Sequence, residues 1–323
     1  MILVCGEALI DLFIGAPEGV EMPARAVPGG SPFNVAIGLA RLEIRSGFLG
    51  CISRDRFGIL LADVLAREGV TDRFMVRSDR LTTISAVATG PDGQPTYSFH
   101  GEGAADRSIL PADVPERLPD DVEALTFGSF SMVVEPGGST FAGLAEREKG
   151  RRVISVDPNL RPAVVGDLAR WAAAAERYFR AATIVKASDE DVRIAWSGRA
   201  TIGEAAAFWR ACGARLVVIT QGSRGATAFA DAGEVTVPSP PVAVRDTVGA
   251  GDSFHAALLA RLSATGRLDP DSIGALDRDA IADLLAYGNA AAGITCTRKG
   301  ADLPTAAEVA ALHAGWSARG AAQ

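Results

Sequence analysis

The segment Asp246-Thr247-Val248-Gly249-Ala250-Gly251-Asp252-Ser253-Phe254 reads as a glycine-rich turn feeding an apolar helix, and it is the stretch best equipped for chemistry. Small residues let the backbone approach a ligand closely, and the first N–H groups of a helix have no partner inside it. Those donors, together with the helix dipole, favour an anion such as a phosphate. A carboxylate in such a turn is at odds with phosphate binding alone, because the two negative charges repel. Asp252 makes sense if it faces a hydroxyl that attacks a phosphate held by neighbouring amides. The spacing equally fits a buried helix start capped by Asp252 or by Ser253.

A second glycine-rich turn, Pro28-Gly29-Gly30-Ser31-Pro32-Phe33-Asn34-Val35-Ala36, also runs into a helix. Other stretches of short polar residues beside glycine or proline are Gly6-Glu7-Ala8-Leu9-Ile10-Asp11, Asp157-Pro158-Asn159-Leu160-Arg161, Thr220-Gln221-Gly222-Ser223-Arg224-Gly225 and Thr297-Arg298-Lys299-Gly300-Ala301. The two glycine-rich turns resemble the paired signatures of the PfkB, or ribokinase-like, carbohydrate kinases. They stand more than two hundred residues apart in the expected order. With the other stretches, the similarity runs through essentially the whole chain.

The resemblance implies ATP-dependent phosphorylation of a sugar hydroxyl, with Asp252 as the base. Gly249, Ala250 and Gly251, with the amide of Asp252, would form an anion hole for the transferring phosphoryl group. A loose transition state leaves positioning and charge stabilisation as the main work of the protein. At a helix start Asp252 is expected to be a weak base, which suffices if the proton leaves late. Sugar recognition would fall to Asp11, Gly29, Gly30, Asn34 and Arg161, with Phe99 and His100 from a lid. ATP would be met by Lys186, Ser188, Thr220, Gly222, Gly225 and Asn289, beside Gly249 and Gly251. Asp246, Val248, Thr295, Arg298 and Gly300 match where relatives bind a monovalent cation, so potassium dependence is expected. Relatives often carry Asn-x-x-Glu near mid-chain, tied to Mg2+ and phosphate. Here Ser188 and Asp191 occupy those places, leaving Glu190 and Asp191 as the candidates beside magnesium.

The stretch Tyr97-Ser98-Phe99-His100-Gly101-Glu102-Gly103-Ala104-Ala105-Asp106-Arg107 is similar to the matching part of bacterial fructokinases. A sugar acid such as 2-keto-3-deoxygluconate needs cations near its carboxylate, and Glu102 would repel one. Arg161 is the counterweight. D-fructose, giving fructose 6-phosphate, is the expected substrate. The alternatives are 2-keto-3-deoxygluconate, another sugar in the manner of ribokinase, or a sugar-binding regulator without catalysis.

Short apolar β-branched runs alternate along the chain with alanine-rich helical segments. Strands are predicted at Ile2–Cys5, Gly47–Ile52, Ala124–Phe127, Val153–Val156, Thr183–Val185 and Leu216–Thr220, with helices between them. That alternation predicts a doubly wound α/β fold, a mostly parallel sheet flanked by helices on both faces. Two stretches break the rhythm. Residues 12–30 and 73–103 read as extended chain, with a turn at Pro91-Asp92-Gly93, and predict a small β-sheet lid inserted into a core of 1–11, 31–72 and 104–323. A free sheet edge is a liability, so pairing of two lids into a homodimer is expected.

Composition sets the outer limits. The chain has 323 residues, 48% hydrophobic and 22% charged, enough for a large packed core. Its formal charge of −7 argues against a nucleic-acid partner. Cys5, Cys51, Cys212 and Cys296 stand singly, without metal-ligand spacing, which suits a reducing, cytoplasmic setting. No run is long and apolar enough to cross a bilayer. A dinucleotide fold would need Gly-x-Gly-x-x-Gly after the first strand, where Cys5-Gly6-Glu7-Ala8-Leu9-Ile10 stands, and a P-loop would need Gly-Lys, which does not occur.

Overall fold

The computed structural model describes residues 1–89 and 95–320; the turn expected at Pro91-Asp92-Gly93 lies outside them. In chain order the strands are β1 (Ile2–Cys5), β2 (Leu9–Ile14), β3 (Ala24–Gly29), β4 (Ser46–Leu49), β5 (Cys51–Ser53), β6 (Val76–Ser78), β7 (Ile84–Thr89), β8 (Pro95–His100), β9 (Ala124–Gly128), β10 (Val153–Asp157), β11 (Ile184–Ser188), β12 (Leu216–Thr220), β13 (Ala226–Ala230) and β14 (Gly233–Val237). Eight of them form one sheet in the order β14-β13-β12-β11-β10-β9-β1-β4. The six from β12 to β4 are parallel, and the hairpin β13–β14 closes one edge antiparallel.

Burial on both faces explains why these strands read as continuous apolar runs. Alternate residues serve opposite layers. Ile2 and Val4 join a core with Phe254, Leu258 and Leu285, whereas Leu3 and Cys5 join one with Phe127, Tyr178 and Trp209. The first layer holds the helices Ser31–Arg41, Ala250–Ala264 and Arg278–Cys296. The second holds Gly137–Glu148, Leu168–Ala181 and Ile202–Cys212. This is the doubly wound α/β arrangement expected from the alternation.

A separate four-stranded sheet, β3-β2-β7-β8, stands off the main one. It begins at Leu9, a little before the extended stretch read from sequence. Val76–Ser78 does not belong to it but pairs in parallel with Cys51–Ser53. The hairpin Ala226–Val237 was not foreseen. Its strands are short and alternating, and they sit on the edge where the parallel rhythm ends. Among the described residues no helix is long and apolar enough to cross a membrane. The four cysteines are free thiols.

Two helix starts are brought together by this packing. Helix Ser31–Arg41 crosses helix Ala250–Ala264 so closely that a Cβ on Gly38 would lie 2.8 Å from Cβ of Ala256. Both helices begin on a glycine in a backbone region that L side chains rarely adopt, Gly30 at φ 109° and Gly249 at φ 79°.

Candidate active site

A cavity of about 530 Å³ opens where the small sheet faces the carboxyl ends of the parallel strands. In open α/β sheets ligands bind at those ends. Each strand end supplies a wall: Glu7 follows β1, Ser129 follows β9, Asn159 and Arg161 follow β10, and Ser188 ends β11. The small sheet adds Leu9, Asp11, Ser85 and Phe99. The two helix starts complete it with Gly30, Ser31 and Asn34 on one side and Thr247, Val248, Gly249, Gly251 and Asp252 on the other.

Asp252 lies in the first turn of its helix and is gripped from the other helix start. Ser31 Oγ donates to its Oδ1 at 2.7 Å, and Asn34 Nδ2 donates to its Oδ2 at 2.8 Å. Its pKa lies above the usual aspartate value. Burial raises it, the Ser31 and Asn34 donors and the Lys186 charge oppose that, and Asp157 adds to the rise. A helix start favours a weak base, whereas withdrawal from water acts the other way and raises the Asp252 pKa.

The amides around it are partly free. Ala250 N–H turns back on the Thr247 carbonyl at 3.2 Å, and Ser253 N–H bonds the Gly249 carbonyl at 2.8 Å. Among the described residues the amides of Gly249, Gly251 and Asp252 carry no such bond. They are the donors available to an anion, and Ala250 contributes by shaping the turn.

Asp11 reaches the cavity from β2. Burial raises its pKa, against a hydrogen bond from Ser85 and the charge of Arg161. Gly29 is set back from the wall, and a Cβ there would strike Asp11 Oδ2 at 2.4 Å. Its place in the motif makes room for that carboxylate. Phe99 faces inward, but His100 is exposed and its partner across the ladder is Ile84. Neighbouring strand residues point to opposite faces, so one of the two had to turn away. Glu102 is exposed as well and takes no part in the cavity. In the cavity wall Arg161 is the one basic side chain among Glu7, Asp11, Glu190, Asp191 and Asp252.

The residues assigned to ATP divide into three groups. Ser188 lines the cavity and pairs in register with Thr220, so Gly222 and Gly225 continue the same strand-end edge beyond it. Asn289 does not line the cavity: its Nδ2 donates to the Val237 and Pro238 carbonyls at 3.0 Å each and pins the end of β14. Lys186 is buried behind the wall, where its Nζ bonds Asp157 Oδ2 at 2.7 Å.

Both oxygens of Asp191 accept hydrogen bonds within the protein. Its Oδ1 accepts from Leu160 N at 2.7 Å, and its Oδ2 accepts from the N and Oγ of Ser188 at 2.8 and 2.6 Å. Ser188 and Asp191 form a capping box on a short helix, which is the reason for their spacing. Glu190 remains exposed at the cavity edge, 3.5 Å from Arg193.

The proposed monovalent-cation residues come from the loop before helix Ala250–Ala264 and from the end of helix Arg278–Cys296 with the loop after it, which the fold ties together. Asp246 Oδ2 accepts from Gly300 N at 2.7 Å, and its Oδ1 accepts from Val248 N at 3.1 Å. The Thr295 side chain is buried against Ser253 Oγ at 2.6 Å, and the Thr295 carbonyl accepts from Arg298 N at 3.0 Å. Loop carbonyls with one carboxylate suit a weakly bound cation. Among the described residues no group of three or more His, Cys, Asp or Glu side chains could hold a metal.

Sequence reasoning passed over Ser31, Glu7, Ser129 and Phe130. Ser31 lay inside a quoted motif, but its partner is 221 residues away. Glu7 is fully buried, bonded by the Ser131 hydroxyl, and burial lifts its pKa to about 7.

Residues 1–308 match the pfkB family carbohydrate kinase. The chain is 42% identical over 282 residues to a fructokinase of Rhizobium leguminosarum bv. trifolii, covering 87% of this chain and 85% of that protein. The fructokinase of Xylella fastidiosa with bound ATP superposes with a TM-score of 0.89 at 26% identity, covering 98% of both chains. The fructokinase of Vibrio cholerae O395, in fructose, ADP and calcium ion bound form, gives 0.81 at 28% identity, covering 96% of this chain and 98% of that one.

Proposed function

The chain belongs to the pfkB family of carbohydrate kinases, and from that premise we propose that it transfers the γ-phosphoryl group of ATP to D-fructose, giving fructose 6-phosphate. The carrying observation is Asp252: a half-buried carboxylate with a raised pKa, aimed by Ser31 and Asn34 and flanked by free amides at a helix start. Asp252 takes the proton of the sugar hydroxyl as its oxygen bonds to the γ-phosphorus. The bond to the ADP oxygen breaks, and the amides of Gly249, Gly251 and Asp252 receive the charge on the transferring group. Asp11, Asn34, Arg161 and the backbone at Gly30 would orient the sugar, and Phe99 would cover it.

A neutral polyol suits a wall with five carboxyl groups and one guanidinium better than a sugar acid does. The Ser188–Thr220 edge, with Gly222 and Gly225, would carry the nucleotide. Mg2+ would arrive with ATP, with Glu190 nearest to it, and the Asp246–Gly300 loops would hold K+. Closure of the small sheet over the sugar would exclude water, and pairing of two such sheets would make a homodimer. With ATP as donor and no cysteine tied in a disulfide, the cytoplasm is the natural setting.

An ADP-release assay over a panel of neutral sugars and sugar acids tests this reading. Fructose should give the highest kcat/KM. Asp252→Asn should lower kcat by roughly three to five orders of magnitude while fructose binding persists. Near-normal turnover in Asp252→Asn, or preference for a sugar acid, would overturn it.

A further inference from the structure

Beneath the first turn of helix Ala250–Ala264, outside the cavity, lies a buried polar cluster that the reaction as written does not use. Lys186 Nζ donates to Asp157 Oδ2 at 2.7 Å, and His255 Nδ1 lies 3.7 Å from the same oxygen. Ser155 Oγ and Thr126 Oγ1 approach His255 Nε2 at 2.7 and 3.5 Å. None of these residues is more than 3% exposed. His255 stays neutral, because burial and then the Lys186 charge lower its pKa to about 3. One ion pair therefore remains in the interior.

Burying such a pair is poor value as plain stabilisation, since desolvation consumes most of its attraction. Its orientation suggests another use. A Cβ on Gly251 would lie 3.2 Å from Lys186 Nζ, so the ammonium stands beside the amide turn where Gly251 has no side chain. The Oδ1 of its partner Asp157 is buried and, among the described residues, has no hydrogen-bond partner. It borders a cavity of about 10 Å³, shared with Thr126, His255 and Ser31, which is close to the volume of one water. The Lys186 ammonium thus lies beside Gly251 at the start of helix Ala250–Ala264, and Asp157 borders Ser31 and His255 of the two helices. Around Asp252, Ser31 and Asn34 donate from helix Ser31–Arg41 and Lys186 attracts from β11, while Asp157 on β10 and Asp11 on β2 repel.

We propose that Lys186, held by Asp157, is a positioning residue for phosphoryl transfer. Its ammonium steadies the charge on Asp252 and backs the amide turn that receives the transferring group. It touches neither sugar nor nucleotide. The idea rests on the kinase reading above and adds to it an electrostatic support that comes from outside the cavity.

The test is the double variant Lys186→Met/Asp157→Asn, which removes both charges and leaves neither buried alone. Fructose phosphorylation is followed against pH at saturating MgATP. The acidic limb of kcat should move up, because the Lys186 charge that lowers the Asp252 pKa outweighs the Asp157 charge that raises it. Plateau kcat should fall roughly tenfold, while KM for fructose stays within about twofold. A purely structural role would lower the melting temperature and leave the limb in place. An unmoved or downward limb in a folded variant overturns the proposal, whatever kcat does. If the double variant does not fold, Lys186→Gln keeps a polar group against Asp157 and carries the same expectation. A wild-type enzyme that phosphorylates no sugar would instead sink the kinase reading.

Discussion

Replacing Gly29 by alanine isolates one carboxylate of the sugar site. Gly29 lies in β3 opposite Leu9, and Asp11 lies two residues further along β2 on the same face. Gly29 is not among the glycines with positive φ, so alanine introduces no backbone strain. Its Cβ would stand 2.4 Å from Asp11 Oδ2, and the carboxylate must withdraw by roughly 0.6 Å to regain the 3.0 Å that real Cβ contacts keep. A hydrogen bond of about 2.7 Å stretched by that amount is largely lost. A bond to a charged group contributes about 1.5–3 kcal/mol, so KM for fructose should rise roughly ten- to hundredfold. Because Asp252 is held by other residues, kcat should stay within about threefold. Steady-state kinetics on Gly29→Ala, Asp11→Ala and the double variant give a closed cycle. If Gly29 acts through Asp11, the double variant matches Asp11→Ala. A KM within twofold of wild type, or additive effects in the cycle, would refute the reasoning.

Two further predictions concern the glycine turn and the buried acid. Gly249→Ala combines a φ of 79° with a Cβ only 2.6 Å from Cβ of Ala301, so the turn must shift and kcat should fall about a hundredfold or more. A melting temperature reduced without loss of kcat would contradict that. Glu7, with its pKa lifted by burial from 4.5 to about 7, binds its proton more tightly when folded. It therefore contributes stability that is complete below pH 4.5 and is lost as pH rises through about 7. Between pH 5.5 and 8 that loss amounts to about 2 kcal/mol, and Glu7→Gln should remove it. Urea unfolding at the two pH values checks this; equal pH dependence in both proteins would count against it.

What could be read in the sequence, and what could not, follows from the range over which each signal acts. The parallel strands were legible because burial on both faces demands unbroken apolar runs, as in Leu216-Val217-Val218-Ile219. The hairpin Ala226–Val237 was not, since a half-exposed edge leaves only weak alternation. Phe99 and His100 show the limit of period-two reasoning. The strand was found, but which neighbour faces the sugar depends on pairing with β7. Ser188 and Asp191 form a capping box whose Ser-x-x-Asp spacing is legible in the sequence, at the place where the family resemblance points to magnesium. Lys186 and Asp157 lie on adjacent strands, 29 residues apart in sequence, and only the register of the sheet makes them a pair. Asp252 itself combines both kinds of signal. Its turn could be read directly, but the force that sets its basicity comes from burial beneath a second helix and from donors 218 and 221 residues away. A helix start alone would have made it a poor base and a good cap. Two helix starts meeting over a buried ammonium surround it with the Ser31 and Asn34 donors and the Lys186 charge, which work against the rise in pKa that burial imposes.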